Sequence, residues 1–216
     1  MSLTLVIGNR NYSSWSLRPW LALAHHKIPF QEIVINIYAD DVKARIREHS
    51  PAGKVPILKD GKTLVWDSLA ILEYLADKFP DLNLWPKDAA ARAHARSISA
   101  EMHSSFQGLR QATPMNLKRV PRPIVLSEAA HVDVERVQAI WNDCRGRYGK
   151  QGHFLFGDFS IADCMYAPVA TRFKSYEVPI DLVSSAYIDT IYELPAFGQW
   201  LDAALKETWI AHYDSI

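Results

Sequence analysis

The chain has 216 residues, which is enough for a packed core and for one or two domains. Lysine and arginine together number 24, as do aspartate and glutamate, so the formal net charge is zero. This balance argues against broad electrostatic binding of nucleic acid or of an anionic membrane, which requires an excess of positive charge.

Export and membrane insertion also lack a signal in the sequence. No apolar stretch reaches the roughly 20 residues that span a bilayer, and the N-terminus has neither the basic region nor the cleavage-like site of a signal peptide. The two cysteines, Cys144 and Cys164, lack CxxC spacing and fit a reducing compartment as small core residues. We therefore expect a cytoplasmic protein.

The first ~80 residues alternate between strand and helix patterns. LTLVIG predicts a buried strand, and apolar residues at helical spacing predict a helix from Ser16 to about His26. Pro19 fits the first turn of that helix, where an N–H has no intrahelical partner. FQEIVINI, residues 30–37, alternates and predicts a second strand, and DDVKARIREHS predicts a short helix that ends before Pro51.

A β-hairpin is predicted in KVPILKDGKTLVWDS. Val55–Leu58 and Thr63–Val65 flank Asp60-Gly61, a strong hairpin signal. Pro56 cannot donate to a strand ladder, so it belongs on an edge or follows a cis peptide bond. The resulting order is β-α-β-α-β-β-α, with Asp67 or Ser68 capping the last helix.

The remainder of the chain predicts helices only. Pro80 and Pro86 interrupt the periodicity, so residues 80–87 are predicted to link an α/β domain of residues 1–79 to an all-α domain of residues 88–216. The amphipathic segments of the second domain lie at about 89–112, 127–148, 160–175, 187–192 and 196–207.

Ser13 and Ser14 stand where the first strand gives way to the first helix. A helix N-terminus has free N–H groups and positive dipole character, so a serine there caps the helix or hydrogen-bonds an anion. The chain has no Gly-x-Ser-x-Gly elbow, and serine without a base is a poor nucleophile. A hydroxyl beside the helix dipole can instead hold a thiolate. Taken alone, the pattern favours a cap.

Two further motifs could bind parts of a peptide. Lys54 and Val55, before the kinking Pro56, offer a free N–H and C=O to which an extended peptide could pair, although an ordinary bend is equally consistent. Asp67 and Ser68 offer helix N–H groups and a hydroxyl for a carboxylate, and an acid for an ammonium group, although capping alone also explains them. Together with a thiolate donor, these features fit one ligand, the tripeptide glutathione.

GDFSIAD has the spacing of a structural helix start. Ser160 and Asp163 stand at the positions of a capping box, and Phe159 can staple to the helix that follows. We interpret Asp163 as a buried carboxylate that accepts from backbone donors rather than as a catalytic acid.

The chain resembles the cytosolic glutathione transferases over nearly its whole length, through the segments NYSSWSLR, SPAGKVPIL, WDSLAILEYLADKFP and FGDFSIADC. It is most similar to the serine-type, zeta-like bacterial members, which place Ser-Ser-Cys-Ser-x-Arg at the start of helix 1. The present chain has Ser13-Ser14-Trp15-Ser16-Leu17-Arg18 there. The resemblance implies a thioredoxin-like glutathione-binding domain, a helical domain that forms the electrophile pocket, and a homodimer.

The resemblance also implies roles for single residues. Ser13 aligns with the serine that activates the glutathione thiol, Ser14 is its neighbour, and either could be the catalytic hydroxyl. Trp15 and His103 would line the electrophile pocket, and Arg18 would support the structure. The implied glutathione-binding residues are Ser13, Ser14, Lys54, Val55 before a cis Pro56, Asp67, Ser68 and Gln107.

These observations predict a glutathione transferase that stabilises the thiolate for attack on a small hydrophobic electrophile, as in detoxification. Glutathione would be its co-substrate, and we expect no metal, nucleic acid or membrane partner. One alternative is a glutathione-dependent isomerase of the maleylacetoacetate type, against which Trp15 in place of cysteine argues. A reductive glutathione enzyme and a non-catalytic glutathione-fold binding protein are the others.

Overall fold

A four-stranded mixed sheet forms the centre of the N-terminal part in the computed structural model, which describes residues 3–209. The strands are β1 (Leu3–Gly8), β2 (Phe30–Ile35), β3 (Ile57–Asp60) and β4 (Thr63–Trp66). Their order across the sheet is β2-β1-β3-β4, with β1 parallel to β2 and with β3 antiparallel to both of its neighbours. The predicted hairpin is present, and Gly61 takes the left-handed φ of +58° that its turn requires.

Helices make up the rest of the fold. In the N-terminal part they are α1 (Ser14–His25), α2 (Val42–Arg47) and α3 (Ser68–Lys78). In the C-terminal part they are α4 (Ala89–Ser104), α5 (Gln107–Ala112), α6 (Glu128–Tyr148), α7 (Ile161–Ser175), α8 (Leu182–Tyr192) and α9 (Pro195–Lys206). Short 3-10 turns occupy Pro80–Leu82 and Gly149–Gln151. The predicted fold class, an α/β domain followed by an all-α domain, is confirmed, whereas the residue limits of the two domains stay a prediction.

The prediction of one helix over residues 89–112 is wrong. The backbone breaks between α4 and α5 at Phe106, whose φ is +66°. A left-handed conformation costs a residue with a side chain about 1 kcal/mol, but the Phe106 ring is 4% exposed and joins the core. Burial of an aromatic ring contributes about 2 kcal/mol or more and offsets that cost, so tertiary packing overrides the helical periodicity here.

Predicted strand limits also move in β2, β3 and β4. Strand β3 ends at Asp60 rather than Leu58, and β4 ends at Trp66 rather than Val65. Strand β3 begins at Ile57 rather than Val55, because the Val55-Pro56 peptide bond is cis and turns the chain away from the ladder. Strand β2 ends at Ile35 rather than Ile37, because the N–H of Ile37 donates to the Asn9 side-chain oxygen at 2.8 Å instead of to a strand.

Helix α7 lies at the centre of the molecule. All of its residues from Ile161 to Phe173 are buried, and it packs against α1, α4 and α8. Helix α1 in turn packs on the sheet and on α3, so one continuous core joins the two parts of the chain. The N-terminus of α1 therefore lies where the strand-containing part meets the helical part. Within residues 3–209, no helix is both long enough and apolar enough to cross a bilayer.

The start of α7 is held by a capping box. Asp163 is fully buried and accepts from the backbone N–H groups of Ser160 at 2.8 Å and Leu155 at 3.1 Å. The hydroxyls of Ser160 and Tyr187 also donate to it, each at 3.1 Å. Burial raises the pKa of the Asp163 carboxyl to about 6 in spite of these donors. All of its partners belong to the scaffold, as a structural role requires.

Candidate active site

The loop before α1 is pinned by two fully buried asparagines, Asn9 and Asn11. Asn9 accepts from the N–H of Ile37, and the side-chain amide of Asn11 donates to the Asn116 side-chain oxygen at 3.0 Å. One asparagine thus ties the loop to the N-terminal part and the other ties it to the C-terminal part. Because buried amide groups must be hydrogen-bonded, Asn9 and Asn11 fix the direction from which the chain enters α1.

The two candidate serines have different hydrogen-bond partners, although each is only 5% exposed. The Ser13 hydroxyl donates to Ser16 Oγ at 2.8 Å, and Ser16 Oγ also accepts from the N–H of Gly8 at 3.0 Å. The Ser14 Oγ accepts from Nη2 of Arg172 at 3.2 Å. A guanidinium can only donate, so Ser14 keeps its own proton for another acceptor.

The cap interpretation fails for the Ser13 side chain. Ser13 occupies the N-cap position of α1, but its hydroxyl makes no cap hydrogen bond. The early N–H groups of α1 thus have no hydroxyl acceptor from this residue. The positive end of the α1 helix dipole therefore lies beside Ser13 and Ser14.

Ser68 repeats the arrangement seen at Ser14. It is buried at the start of α3, and its Oγ accepts from Nη1 of Arg18 at 3.2 Å. Arg18 is fully buried, and burial together with the charges of Arg110 and Arg172 lowers the pKa of its guanidinium to about 9. Its Nε and Nη2 have no hydrogen-bond partner within residues 3–209. Ser68 therefore also retains a proton to donate, next to a cation that has spare donors.

Trp15 contacts Arg18 and also two residues of the helical part, Arg110 and His103. The Arg18 and Arg110 guanidinium carbons lie 4.3 and 5.0 Å from the centroid of the Trp15 ring, and both make cation–π contacts with it. The ring of His103 meets Trp15 edge-on, with the two centroids 5.3 Å apart. The two residues predicted for the electrophile pocket thus contact each other.

Asp67 divides its two carboxylate oxygens between two tasks. Oδ1 caps α3 by accepting from the N–H groups of Leu69 at 2.9 Å and Ala70 at 3.2 Å. Oδ2 lies 3.3 Å from Nε2 of His103. The backbone at Asp67 has a φ of +77°, a left-handed conformation that costs a residue with a side chain of order 1 kcal/mol and is concentrated at functional sites.

The remaining predicted site residues lie at the surface or at the cis bond. Val55 is half-buried immediately before cis Pro56, where ladder pairing with β1 has stopped. The side chains of Lys54 and Gln107 are exposed. Both therefore contribute less to the enclosed part of the site than Ser14, Arg18 and Ser68 do.

Sequence reasoning missed two arginines of this site, Arg110 and Arg172. Arg110 is half-buried on α5, and burial lowers the pKa of its guanidinium. Arg172 is 5% exposed on α7 and also donates from Nη1 to the carbonyl oxygen of Thr113. A charged residue in the otherwise apolar run MYAPVATRF was the available signal, since a buried charge requires partners.

Two family models match the chain and together span most of it. They are described as Glutathione S-transferase, N-terminal domain, over residues 12–78 and Glutathione S-transferase, C-terminal domain, over residues 89–205. The chain belongs to the glutathione S-transferase family. The family resemblance deduced from the sequence is confirmed.

Individual relatives agree with this assignment. The transferase is 29% identical over 192 residues to a probable maleylacetoacetate isomerase of Caenorhabditis elegans. This match covers 87% of each of the two chains. It is 31% identical to the maleylacetoacetate isomerase of Mus musculus, over 79% of this chain and 78% of that one. Its fold matches the crystal structure of a glutathione transferase homologue from Burkholderia with bound glutathione, with a TM-score of 0.74 and 21% identity over 96% of this chain and 100% of that one.

Proposed function

We propose that this transferase binds glutathione along the start of α1, the cis Val55-Pro56 bend and the start of α3, and that the Ser14 hydroxyl stabilises the glutathione thiolate. The observation that carries the proposal is the hydrogen bond from Arg172 to Ser14 Oγ. It occupies an oxygen lone pair and leaves the Ser14 proton for the sulfur.

Ser14 is favoured over Ser13 by the same argument. The Ser13 proton is engaged by Ser16 Oγ at 2.8 Å, so Ser13 would have to break a buried hydrogen bond to donate to a thiolate. Such a bond contributes about 1 kcal/mol. The resemblance aligns Ser13 with the activating serine, whereas the hydrogen-bond pattern supports its neighbour.

The glutamyl end of glutathione carries a carboxylate and an ammonium group, and the start of α3 suits both. The Ser68 hydroxyl, oriented by Arg18 and placed at a helix N-terminus, can donate to the carboxylate. Asp67 can accept from the ammonium group through Oδ2, which takes no part in the cap and lies 3.3 Å from His103 Nε2, because a carboxylate oxygen can accept more than one hydrogen bond. The backbone of Val55, which precedes the cis bond, would pair with the middle of the tripeptide.

The reaction follows from these contacts. Buried cations near Ser14 favour the thiolate over the thiol and thus lower the thiol pKa. The sulfur then attacks the electrophilic carbon, a C–S bond forms, and the electron pair leaves with the displaced group or enters a conjugated system. No step requires a covalent bond to the enzyme.

A second function, glutathione-dependent isomerisation, is favoured by the arginines. Arg18 and Arg110 contact Trp15 at the predicted electrophile pocket, and Arg172 lies beside Ser14. A pocket with this charge favours an electrophile that carries a carboxylate, and maleylacetoacetate is such an acid. Net consumption of glutathione would identify conjugation. Cis–trans conversion of a maleyl keto acid with glutathione unchanged would identify isomerisation.

The decisive experiment compares Ser14→Ala with Ser13→Ala. We expect Ser14→Ala to raise the pKa of bound glutathione by about one unit and to lower kcat/KM about tenfold, since one unit corresponds to about 1.4 kcal/mol. The thiolate absorbance of the glutathione complex and the conjugation rate of a test electrophile provide the two measurements. A larger effect of Ser13→Ala, or no effect of either variant, would contradict the assignment.

We further propose that the transferase acts as a cytoplasmic homodimer. Membership of the glutathione S-transferase family supports the dimer, and Trp66, 49% exposed on the edge strand β4, is a candidate contact. Light scattering on the purified protein measures the mass directly. A monomeric mass at micromolar protein concentration would refute the dimer.

A further inference from the structure

The end of helix α9 lies on the loop that leads into α1. Glu207, the C-cap residue of α9, accepts from two consecutive backbone N–H groups of that loop. Its Oε1 accepts from the N–H of Arg10 at 2.7 Å, and its Oε2 accepts from the N–H of Asn11 at 3.1 Å. The two oxygens of one carboxylate thus hold two neighbouring peptide groups that lie 197 and 196 residues away in the chain.

Glu207 is itself held in place from two sides. Helix α9 is fixed on α1 by Trp200, which is fully buried and meets the ring of Trp20 at a centroid separation of 5.1 Å. Trp200 also donates from Nε1 to the carbonyl oxygen of Arg10 at 3.1 Å. The Lys118 ammonium group donates to the backbone carbonyl oxygen of Glu207. Core packing therefore supports the carboxylate, although Glu207 is only half-buried.

Arg10 and Asn11 form the middle of a tight turn. The N–H of Ser13 donates to the carbonyl oxygen of Asn9 at 2.8 Å and closes the turn. This bond uses neither the N–H of Arg10 nor that of Asn11. Backbone N–H groups in a buried turn need an acceptor, and Glu207 supplies one for each.

The position of this turn decides where Ser14 stands. Ser14 follows the turn directly as the first residue of α1, and its Oγ accepts from Nη2 of Arg172 at 3.2 Å. That distance is at the long end of the usual range for an N–H···O bond, so a shift of about 0.5 Å would break the contact. Arg172 belongs to the buried helix α7 and would not follow such a shift.

We propose that Glu207 is a positioning residue of the reaction: its carboxylate fixes the turn of residues 9–13 so that the Ser14 hydroxyl stays within reach of both Arg172 and the glutathione sulfur. The inference rests on the proposed role of Ser14 in stabilising the thiolate. In this role Glu207 acts through the turn and needs no contact with glutathione.

The test measures the thiol pKa of bound glutathione in a Glu207→Gln variant of the full chain. Glutamine has one acceptor oxygen and places an amide NH2 group against the second N–H, so the turn loses one of its two acceptors. We expect the thiol pKa to rise by about half a unit and kcat/KM at neutral pH to fall about threefold. A purely electrostatic role predicts the opposite sign, because the loss of a negative charge near the sulfur lowers the thiol pKa.

A thiol-free ligand separates positioning from a general loss of structure. S-methylglutathione presents the same glutamyl and peptide groups but has no thiol to ionise. Its affinity for Glu207→Gln should stay within about twofold of that for the wild type, because Asp67 and Ser68 are unchanged. A loss of S-methylglutathione affinity with an unchanged thiol pKa would show that Glu207 serves the structure alone.

Glu193→Gln is the matched control. Glu193 is the C-cap residue of α8 and is exposed, and the hydrogen bonds described for the loop of residues 9–13 do not involve it. Both glutamates stand at the negative end of a helix dipole, so the dipole acts on both alike. Glu193→Gln should leave the thiol pKa and kcat/KM unchanged.

A double-mutant cycle tests whether Glu207 acts through Ser14. In a Ser14→Ala background, Glu207→Gln should raise the thiol pKa no further, because the two residues then belong to one coupled network. The positioning role is refuted if Glu207→Gln leaves the thiol pKa unchanged, lowers it, or raises it equally in both backgrounds. An unchanged thiol pKa in Ser14→Ala alone would instead overturn the proposed function, and the role of Glu207 with it.

Discussion

Arg172 and Ser14 are 158 residues apart in the chain, yet Nη2 of the arginine donates to Oγ of the serine across 3.2 Å. The serine stands on the first turn of α1, and the arginine comes from α7. A cation from the helical part therefore completes a site whose hydroxyls belong to the strand-containing part. The hydroxyl that we propose to stabilise the thiolate thus depends on both parts of the chain.

Replacement of Arg172 should alter the pH profile as well as the rate. We expect Arg172→Met to raise the thiol pKa of bound glutathione by about one unit and to lower kcat/KM about tenfold at neutral pH, because the anionic sulfur loses a buried positive charge. The rate should approach that of the wild type at high pH. Arg172→Lys should restore part of the loss because it keeps the charge.

The control for this experiment is Arg136→Met. Arg136 is an arginine with a 53% exposed side chain that pairs with Glu101. The Arg136→Met substitution should leave both kcat/KM and its pH profile unchanged. A slower Arg172→Met enzyme with the pH profile of the wild type would show that Arg172 serves the structure alone.

Trp15 should contribute to stability through its two arginines. We expect Trp15→Leu to lower the free energy of unfolding by about 1 to 2 kcal/mol, because the cation–π contacts with Arg18 and Arg110 are lost. Trp15→Phe keeps a ring of weaker quadrupole and should lose less. Urea denaturation provides the measurement, since urea does not compete as a cation. Equal stability of both variants and the wild type would refute the role of these contacts.

Asp163 should make stability depend on pH in a definite direction. Its pKa rises from 3.8 to about 6 on folding, chiefly because of burial, so between these values the folded protein binds more protons than the unfolded chain. The free energy of unfolding should therefore fall as the pH rises from about 4 to about 6, by about 2 to 3 kcal/mol from this group.

Asp163→Asn isolates that contribution. The variant loses an acceptor for the N–H of Ser160, so it should be less stable than the wild type at pH 4.5. The difference should shrink as the pH rises to 7, because only the wild type carries the ionisation cost. Asp158→Asn, at an exposed position in the same loop, should differ from the wild type by a constant amount. A constant difference for Asp163→Asn as well would contradict the prediction.

Local patterns were sufficient wherever neighbours in the chain decide the structure. The Asp60-Gly61 turn, the Asp67 cap and the Ser160–Asp163 capping box all follow from residues within a few positions of each other. The same patterns failed at Phe106, where a buried ring holds a left-handed backbone that helical periodicity does not indicate.

By itself, the sequence determined the α/β order, the helical second half, the family and most of the residues that surround the candidate site. Only the tertiary structure showed that Ser13 and Ser14 have different hydrogen-bond partners, and only it placed Arg172 and Arg110 beside the candidate site. The reason is physical. A hydroxyl's role depends on which of its lone pairs and protons are already engaged, and the partners that engage them come from helices far away in the chain.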